Sequence, residues 1–261
     1  METADTHLRS GDLDGARAAL VETVKKAPAD QAARLFLFQL LAVMGDWDKA
    51  ASQLRALASL SPEAQMLATV YDQAIAAERR RIDAWNGRLP FEVLVPSSPW
   101  VTDLAGALDH FAAGHTEAGE QARDQAFEQA GDTPGQSSDT DRFSWISDID
   151  PRLGPCFEAI VSGRWGLVPF EAVEVIKTEG PKDLRDIVWL PVEMRLRSGQ
   201  SAAALLPARY AGSEASPESA VRLGQVTVWS DDGDRPLGQR LWTTDGGADL
   251  GLLSLRRLDF A

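Results

Sequence analysis

Four aspartates in the second half of the chain stand close enough in sequence to bring their carboxylates together. They are Asp148, Asp150, Asp183 and Asp186. Hard divalent cations take several carboxylate oxygens as ligands, so one hypothesis is a metal-dependent hydrolase. Four arginines are interleaved with these aspartates: Arg152, Arg185, Arg209 and Arg240. Bidentate Asp–Arg pairs that fasten loops fit this alternation better than a metal site, which leaves carboxylates unpaired.

Aromatic residues occur in the same charged segments, where they would pack beneath the arginines. These are Trp145, Trp189 and Tyr210. Together with the eight charged residues they form the candidate site, either for fastening loops or for contacting a partner directly. The usual signatures of catalysis are absent, since the chain has neither a phosphate-binding loop nor a nucleophile elbow. We therefore predict no catalytic residue, no bound metal and no cofactor.

Histidine and cysteine add little chemistry. His110 and His115 are five residues apart, which does not place them on one helical face as a zinc pair. Cys156 is the single cysteine, so no internal disulfide can form. It follows Gly154-Pro155 at the start of a predicted strand, where a small buried core residue is expected.

Charge narrows the class of partner. The 261 residues include 26 basic and 39 acidic side chains, for a net charge of −13. This balance argues against binding to nucleic acid or to an anionic membrane surface. The first residues lack the basic and apolar segments of a signal peptide, and the most apolar stretch, residues 35–44, is too short to span a bilayer. We expect a cytoplasmic protein.

Alanine content divides the chain into two parts. Residues 1–135 contain 27 of the 38 alanines, and five of the eight tryptophans lie after them. Alanine favours helix, whereas aromatic residues favour strand. We therefore predict an α+β protein with a helical domain at 1–135 and a β-rich domain at 136–261. The turn-forming segment 131–139 is the predicted junction.

The helical part contains an internal repeat. Six residues beginning with Gly11 recur 34 positions later, beginning with Gly45. This spacing is the tetratricopeptide period, in which two antiparallel helices form one unit. Glycine would end the first helix of each unit in a left-handed conformation, and Pro28 and Pro62 would stop the second. A plain helical bundle is the alternative.

Short apolar runs between turn residues predict strands in the second half. They cover residues 157–161, 167–170, 173–176, 192–196, 203–206, 221–229 and 252–258. Gly224 interrupts one alternation and predicts a β-bulge, while residues 231–234 predict a hairpin turn. With no regular helix between these runs, the sequence favours an antiparallel, strongly bent or barrel-like sheet.

Several long motifs in a fixed order resemble the ImpE/SciE/TagJ family of type VI secretion accessory proteins. The most distinctive are Gly45-Asp46-Trp47-x-Lys49-Ala50, Phe143-x-Trp145-Ile146-x-Asp148-x-Asp150-x-Arg152-Leu153-Gly154-Pro155, Asp183-Leu184-Arg185-Asp186-x-Val188-Trp189-x-Pro191, Pro207-x-Arg209-Tyr210 and Gly238-Gln239-Arg240. The resemblance extends over nearly the whole chain.

This resemblance implies a non-enzymatic cytoplasmic adaptor of a contractile secretion machine. Family members look like proteins that bind the N-terminal helix of the small sheath subunit (TssB-like), with a link to the ClpV-like AAA+ ATPase. Recognition would place apolar anchors of the partner helix in an apolar groove, with acidic residues at its rim. The hydrolase, and a scaffold that assembles with itself, are the competing hypotheses.

Overall fold

The computed structural model describes residues 2–138, 142–231, 233–247 and 249–261. The first half is helical. Its helices are α1 (Glu2–Arg9), α2 (Leu13–Lys26), α3 (Gln31–Val43), α4 (Trp47–Ala58), α5 (Pro62–Trp85), α6 (Pro99–Ala112) and α7 (Thr116–Gln129). The predicted helical part is therefore confirmed.

Glycines in the left-handed conformation join the helices in pairs. Gly11, between α1 and α2, has a φ of 79°, and Gly45, between α3 and α4, has a φ of 73°. Gly114 joins α6 and α7 in the same way, with a φ of 78°. The turns at Gly11 and Gly45 agree with the 34-residue period, and Gly114 lies one residue beyond two further periods. The predicted role of Pro62 was wrong, because it occupies the first turn of α5, where its missing N–H leaves no hydrogen bond unmade.

The second half is rich in strands. They are β1 (Gly135–Ser137), β2 (Arg142–Phe143), β3 (Ile146–Asp148), β4 (Cys156–Val161), β5 (Arg164–Pro169), β6 (Val173–Lys177), β7 (Trp189–Leu196), β8 (Ser201–Pro207), β9 (Thr227–Trp229), β10 (Pro236–Gly238), β11 (Leu241–Thr244), β12 (Leu250–Gly251) and β13 (Arg257–Phe260). Eight of them form an antiparallel sheet in the order β2-β1-β13-β6-β7-β8-β4-β5.

The barrel-like expectation was wrong in one respect, since the sheet does not close. Its edge strands, β2 and β5, are not paired with each other among the described residues. The β5 edge is instead covered by the segment after α5. The Leu94 N–H donates to the Leu167 carbonyl (2.9 Å), and the Leu167 N–H donates to the Glu92 carbonyl (2.8 Å). Covering an edge strand satisfies its backbone groups and prevents pairing with other chains.

Two predicted strands differ from the structure. Residues 219–222 form a short helix, α8 (Ser219–Arg222), so only the end of the 221–229 run is a strand. Gly224 has a φ of 61° and follows this helix; the register shift lies instead between Val173 and Val175. In the 252–258 run only β13 is a strand. Asp232 of the predicted turn and Asp139 of the predicted junction lie outside the described residues.

One hydrophobic core contains residues from both halves. Tyr71 and Ala74 of α5 belong to the same buried cluster as Trp165, Leu167 and Trp189. The buried residues of a second cluster all lie in the sheet-rich half, with Leu94 and Val95 packed against them. The change from helix to strand falls between Gln129 and Gly135, and the division into two domains stays a prediction. Within the described ranges, none of the helices has both the length and the apolar character needed to cross a membrane.

Candidate functional site

A buried carboxylate on the sheet is the centre of a charge network. Glu158 of β4 accepts two hydrogen bonds from Arg81 of α5, at 2.8 Å to Oε1 and 3.0 Å to Oε2. The indole N–H groups of Trp85 and Trp165 donate to the same Oε1, each at 3.0 Å. Arg240 also forms an ion pair with Glu158. Each charge is therefore compensated away from water, as burial requires.

Arg240 extends the network to a second carboxylate. Its Nη1 donates to Asp148 Oδ2 at 2.5 Å, and its Nε donates to the Pro207 carbonyl at 3.1 Å. The Tyr210 hydroxyl contacts Asp148 Oδ1 at 3.0 Å, and the Arg240 guanidinium lies 4.7 Å from the centre of the Tyr210 ring. Three of the predicted site residues are therefore in contact with one another: Asp148, Tyr210 and Arg240.

The two carboxylates have opposite pKa shifts. Burial alone would raise the pKa of Glu158, but the charges of Arg81 and Arg240 lower it to about 2. Burial, and to a lesser extent the charge of the neighbouring Asp150, raise the pKa of Asp148 to about 6 against the opposing charge of Arg240. The pKa values differ because Glu158 has two arginines beside it, whereas Asp148 has one arginine and a second aspartate, Asp150.

Asp150 and Arg152 form a neighbouring pair. Arg152 donates to both carboxylate oxygens, from Nε at 2.8 Å and from Nη2 at 2.6 Å. The Arg152 guanidinium also lies 4.4 Å from the centre of the Trp85 ring. Because Trp85 donates to Glu158, this pair continues the same network. Its planar, bidentate geometry is one that lysine cannot reproduce.

A second cluster lies around the 3₁₀ helix Leu184–Ile187. Asp186 accepts the backbone N–H groups of Lys182 (2.8 Å) and Asp183 (2.9 Å). Arg185 forms an ion pair with Asp183, and its Nε contacts the Tyr71 hydroxyl at 2.8 Å. These contacts hold the loop before β7 against α5.

Trp189 connects this second cluster to the network. Its indole N–H donates to Glu78 Oε2 at 2.9 Å, and Glu78 Oε1 accepts from Arg81 Nη1 at 2.8 Å. Trp189 is fully buried and packs against the rings of Trp47 and Tyr71. Residues 71–85 of α5 therefore contact both charged clusters.

Arg209 and Trp145 do not share the pattern predicted for them. Arg209 is buried and donates to backbone carbonyls, those of Val43 (2.9 Å) and Arg222, rather than to a carboxylate. Burial lowers its pKa to about 10. Trp145 is 39% exposed and lies outside the network.

The four aspartates are not gathered into one site. Asp148 and Asp150 contact arginines in the network, whereas Asp183 and Asp186 cap the 3₁₀ helix Leu184–Ile187. Across the residues that the structure describes, no group of three or more His, Cys, Asp or Glu side chains could hold a metal ion.

Sequence reasoning missed the helical side of the network. The residues concerned are Tyr71, Glu78, Arg81, Trp85 and, on the sheet, Glu158. Two signals pointed to them. Glu78 and Arg81 fall on the alanine-rich face of α5 with Ala74, Ala77 and Ala84, where a helix is buried. Glu158 interrupts an otherwise apolar run, and a charge in such a position needs a partner.

Two cavities open beside α5. The first, here the α5 groove, has a volume of about 630 Å³. It is walled by Val70 and Ala74 of α5, by the segment 94–96 and by residues of β7 and β8. Met66 and Val70 continue the apolar surface outwards, at 74% and 47% exposure.

The second, here the Trp229 cavity, has a volume of about 780 Å³. It lies between the last turn of α5, the loop 211–218 and the β9–β10 hairpin. Trp229 is 49% exposed at its wall, and the stacked Trp85 and Arg152 side chains line it as well.

Paired helices with tetratricopeptide-type turns, fastened by buried ion pairs to an open antiparallel sheet, define a helical-repeat protein with open grooves. A tetratricopeptide repeat model matches residues 7–79, and the ImpE protein model matches residues 140–259. The chain is 44% identical over 257 residues to the type VI secretion system accessory component TagJ of Pseudomonas aeruginosa. That alignment covers 98% of this chain and 90% of TagJ.

The fold also matches a solved structure. The crystal structure of protein VPA1032 from Vibrio parahaemolyticus superposes with a TM-score of 0.85 at 26% identity, covering 99% of this chain and 97% of that one. The chain belongs to the ImpE/TagJ family of type VI secretion accessory proteins. The resemblance found in the sequence motifs is confirmed.

Proposed function

We propose that the chain is a non-enzymatic adaptor of the type VI secretion system that works in the cytoplasm. Its ligand is the amphipathic N-terminal helix of the small sheath subunit (TssB-like), and the α5 groove is the site. Membership of the ImpE/TagJ family supports the accessory role. A second partner, contacted directly or through the sheath subunit, is the ClpV-like ATPase.

The observation that carries this proposal is the apolar surface running from Met66 through Val70 into the α5 groove. Residues four apart on a helix lie on the same face, so Met66 and Val70 form one ridge. Exposed apolar surface of this kind marks interaction sites in proteins that are otherwise well packed. A partner helix would bury its i, i+3, i+4 and i+7 anchors there.

Negative charge beside the α5 groove predicts a second property of the partner helix, a basic polar face. Glu63 is exposed on α5, three residues before Met66 and on the same side of the helix as the ridge. A carboxylate in this position would favour a helix whose polar face carries Lys or Arg. Such rim contacts raise the association rate more than the final affinity, which comes from apolar burial.

Calorimetric titration with a synthetic peptide of that N-terminal helix tests the proposal. We expect saturable one-to-one binding with a negative heat-capacity change, the signature of apolar burial. Val70→Glu places a charge on the ridge and should weaken binding at least about tenfold. Val226→Glu is the matched control, since Val226 is 39% exposed outside the groove.

Two results would contradict the proposal. If the wild-type chain binds no peptide at several hundred micromolar, helix recognition is not its function. If Val70→Glu and Val226→Glu weaken binding equally, the helix binds elsewhere. Circular dichroism of each variant establishes that the fold is retained.

A further inference from the structure

We propose that the Trp229 cavity is a second docking site, which takes an extended, basic segment of a partner protein. The segment would carry Lys or Arg side chains separated by apolar ones. This inference is independent of the helix proposed for the α5 groove, because it uses different residues and a different ligand chemistry.

The Trp229 cavity is large enough for several side chains. A volume of about 780 Å³ is in the range of sites that hold a small ligand or several side chains. Its walls come from three separate parts of the chain: Ile82 and Trp85 of α5, the loop 211–218 and the β9–β10 hairpin. It is partly open to solvent, so an extended segment can enter without rearrangement of the core.

The side chains around the Trp229 cavity carry excess negative charge. Glu218 and Asp231 are exposed at the cavity, and neither belongs to an ion pair among the described residues. Glu214 also lines the cavity, and its charge acts on the buried Arg209. The opposing cations are Arg152, which Asp150 already neutralises by a bidentate pair, and Arg235. The excess negative charge therefore suits a cationic ligand.

One aromatic side chain at the cavity is not covered by the hydrophobic core. Trp229 is 49% exposed and lines the cavity, although tryptophan is usually highly buried. The face of an indole ring attracts a Lys or Arg cation and also packs against apolar side chains. An exposed tryptophan beside unpaired carboxylates is thus suited to a segment that combines basic and apolar residues.

The net charge of the whole chain also favours a cationic ligand. A net charge of −13 attracts cationic segments and repels anionic ones at long range. The cavity and the α5 groove are both lined by α5, at Trp85 and Val70 respectively. Fifteen residues of helix span about 22 Å, so two segments can be held at once on one rigid element.

Fluorescence anisotropy with a labelled peptide, Gly-Lys-Leu-Arg-Leu-Lys-Gly, tests the site on the full-length protein. We expect saturable binding that weakens as salt is added, and no binding of the same peptide with glutamate in place of Lys and Arg. Glu218→Lys combined with Asp231→Lys should weaken binding at least about tenfold. Trp229→Ala should weaken it by about fivefold, through loss of the cation–π and apolar contacts.

The matched control is Glu117→Lys combined with Glu128→Lys. Both residues are exposed on α7, outside the cavity, and the pair changes the net charge by the same amount. We expect this control to weaken binding by no more than about twofold. Equal loss in the two double variants would overturn the proposal, because the peptide would then respond to net charge alone. A wild-type isotherm that does not saturate below about 1 mM would overturn it as well.

The α5 groove variant separates this site from the helix site. Val70→Glu should leave binding of the basic peptide unchanged. Loss of peptide binding in Val70→Glu would place the peptide in the groove and would overturn the assignment to the Trp229 cavity. Whether the helix peptide binds the α5 groove does not change how this experiment is interpreted.

Discussion

Arg81 and Glu158 form a bidentate ion pair between the longest helix and the second-half sheet, although 77 residues separate them along the chain. Both side chains are almost fully buried. Arg81 also donates to the Arg209 carbonyl, at 3.0 Å, so it touches two parts of the second half. This pair joins α5, which lines both cavities, to the sheet.

Arg81→Met should destabilise the protein by about 3–5 kcal/mol, because it removes two of the hydrogen bonds to a buried glutamate and leaves Glu78 less compensated. Urea unfolding followed by circular dichroism measures this loss. Arg79→Met is the control on the same helix, since Arg79 pairs with Asp48 in an exposed position. Its cost should stay below about 1 kcal/mol. Equal costs would mean that the buried pair has no special role.

The sequence predicted the features that local rules decide. The 34-residue period located the helix pairs because Gly11 and Gly45 must occupy a left-handed turn, and few other residues do so without strain. Alternation in residues 192–196 located β7 in the same way. Each of these signals is local, because it lies within a few residues of the turn or strand that it predicts.

The rest depends on contacts that have no local signal. Nothing near Arg81 in sequence indicates that its partner is Glu158, and Arg209 turned out to contact carbonyls instead of an aspartate. A sheet closes only if its two edge strands pair with each other. The alternation of apolar and polar residues along a strand does not indicate whether they do. The short helix α8 was missed because one helical turn leaves no periodic pattern to detect.

Asp148 should make the protein less stable as the pH rises through about 6. Its pKa is raised from 3.8 to about 6, so between these values the folded state holds a proton that the unfolded state has lost. Its contribution is therefore fully present below about pH 4 and is lost as the pH rises through 6. Asp148→Asn removes this contribution.

Urea unfolding from pH 4 to 7 measures the effect as the difference in stability between the wild type and Asp148→Asn. This difference should fall by up to about 3 kcal/mol across the window. Glu158 acts in the opposite direction in a lower window, because its pKa of about 2 is below its usual 4.5. A difference that rises between pH 4 and 7 would mean that the contacts with Arg240 and Tyr210 outweigh burial.

Gly45→Ala should cost more than Gly114→Ala, although both glycines end a helix in the same conformation. A Cβ at Gly45 would lie 2.6 Å from Glu214 Cγ, whereas a Cβ at Gly114 meets no atom within 4 Å. Gly114→Ala therefore carries only the left-handed strain, about 1 kcal/mol. Gly45→Ala adds a displacement of the loop that walls the Trp229 cavity. Thermal unfolding compares the two, and equal costs would show that Glu214 moves aside freely.

Cys156 should resist modification until the whole protein unfolds. It is fully buried at the start of β4, against Trp100, Leu104 and Ala126, and burial raises the pKa of its thiol well above the usual value. Only the exposed thiolate reacts, so reaction requires an opening that separates α6 and α7 from the strand. Because β4 also carries Glu158, we expect this opening to coincide with global unfolding.

Labelling with a chromogenic disulfide at several urea concentrations tests this prediction. The free energy of opening obtained from the labelling rates should equal the global free energy of unfolding within about 1 kcal/mol. In strong denaturant one thiol per chain should react at once, since the sequence contains one cysteine. A labelling free energy several kcal/mol below the global value would contradict the prediction. It would mean that α6 and α7 leave the sheet while the pair between Arg81 and Glu158 still holds α5 in place.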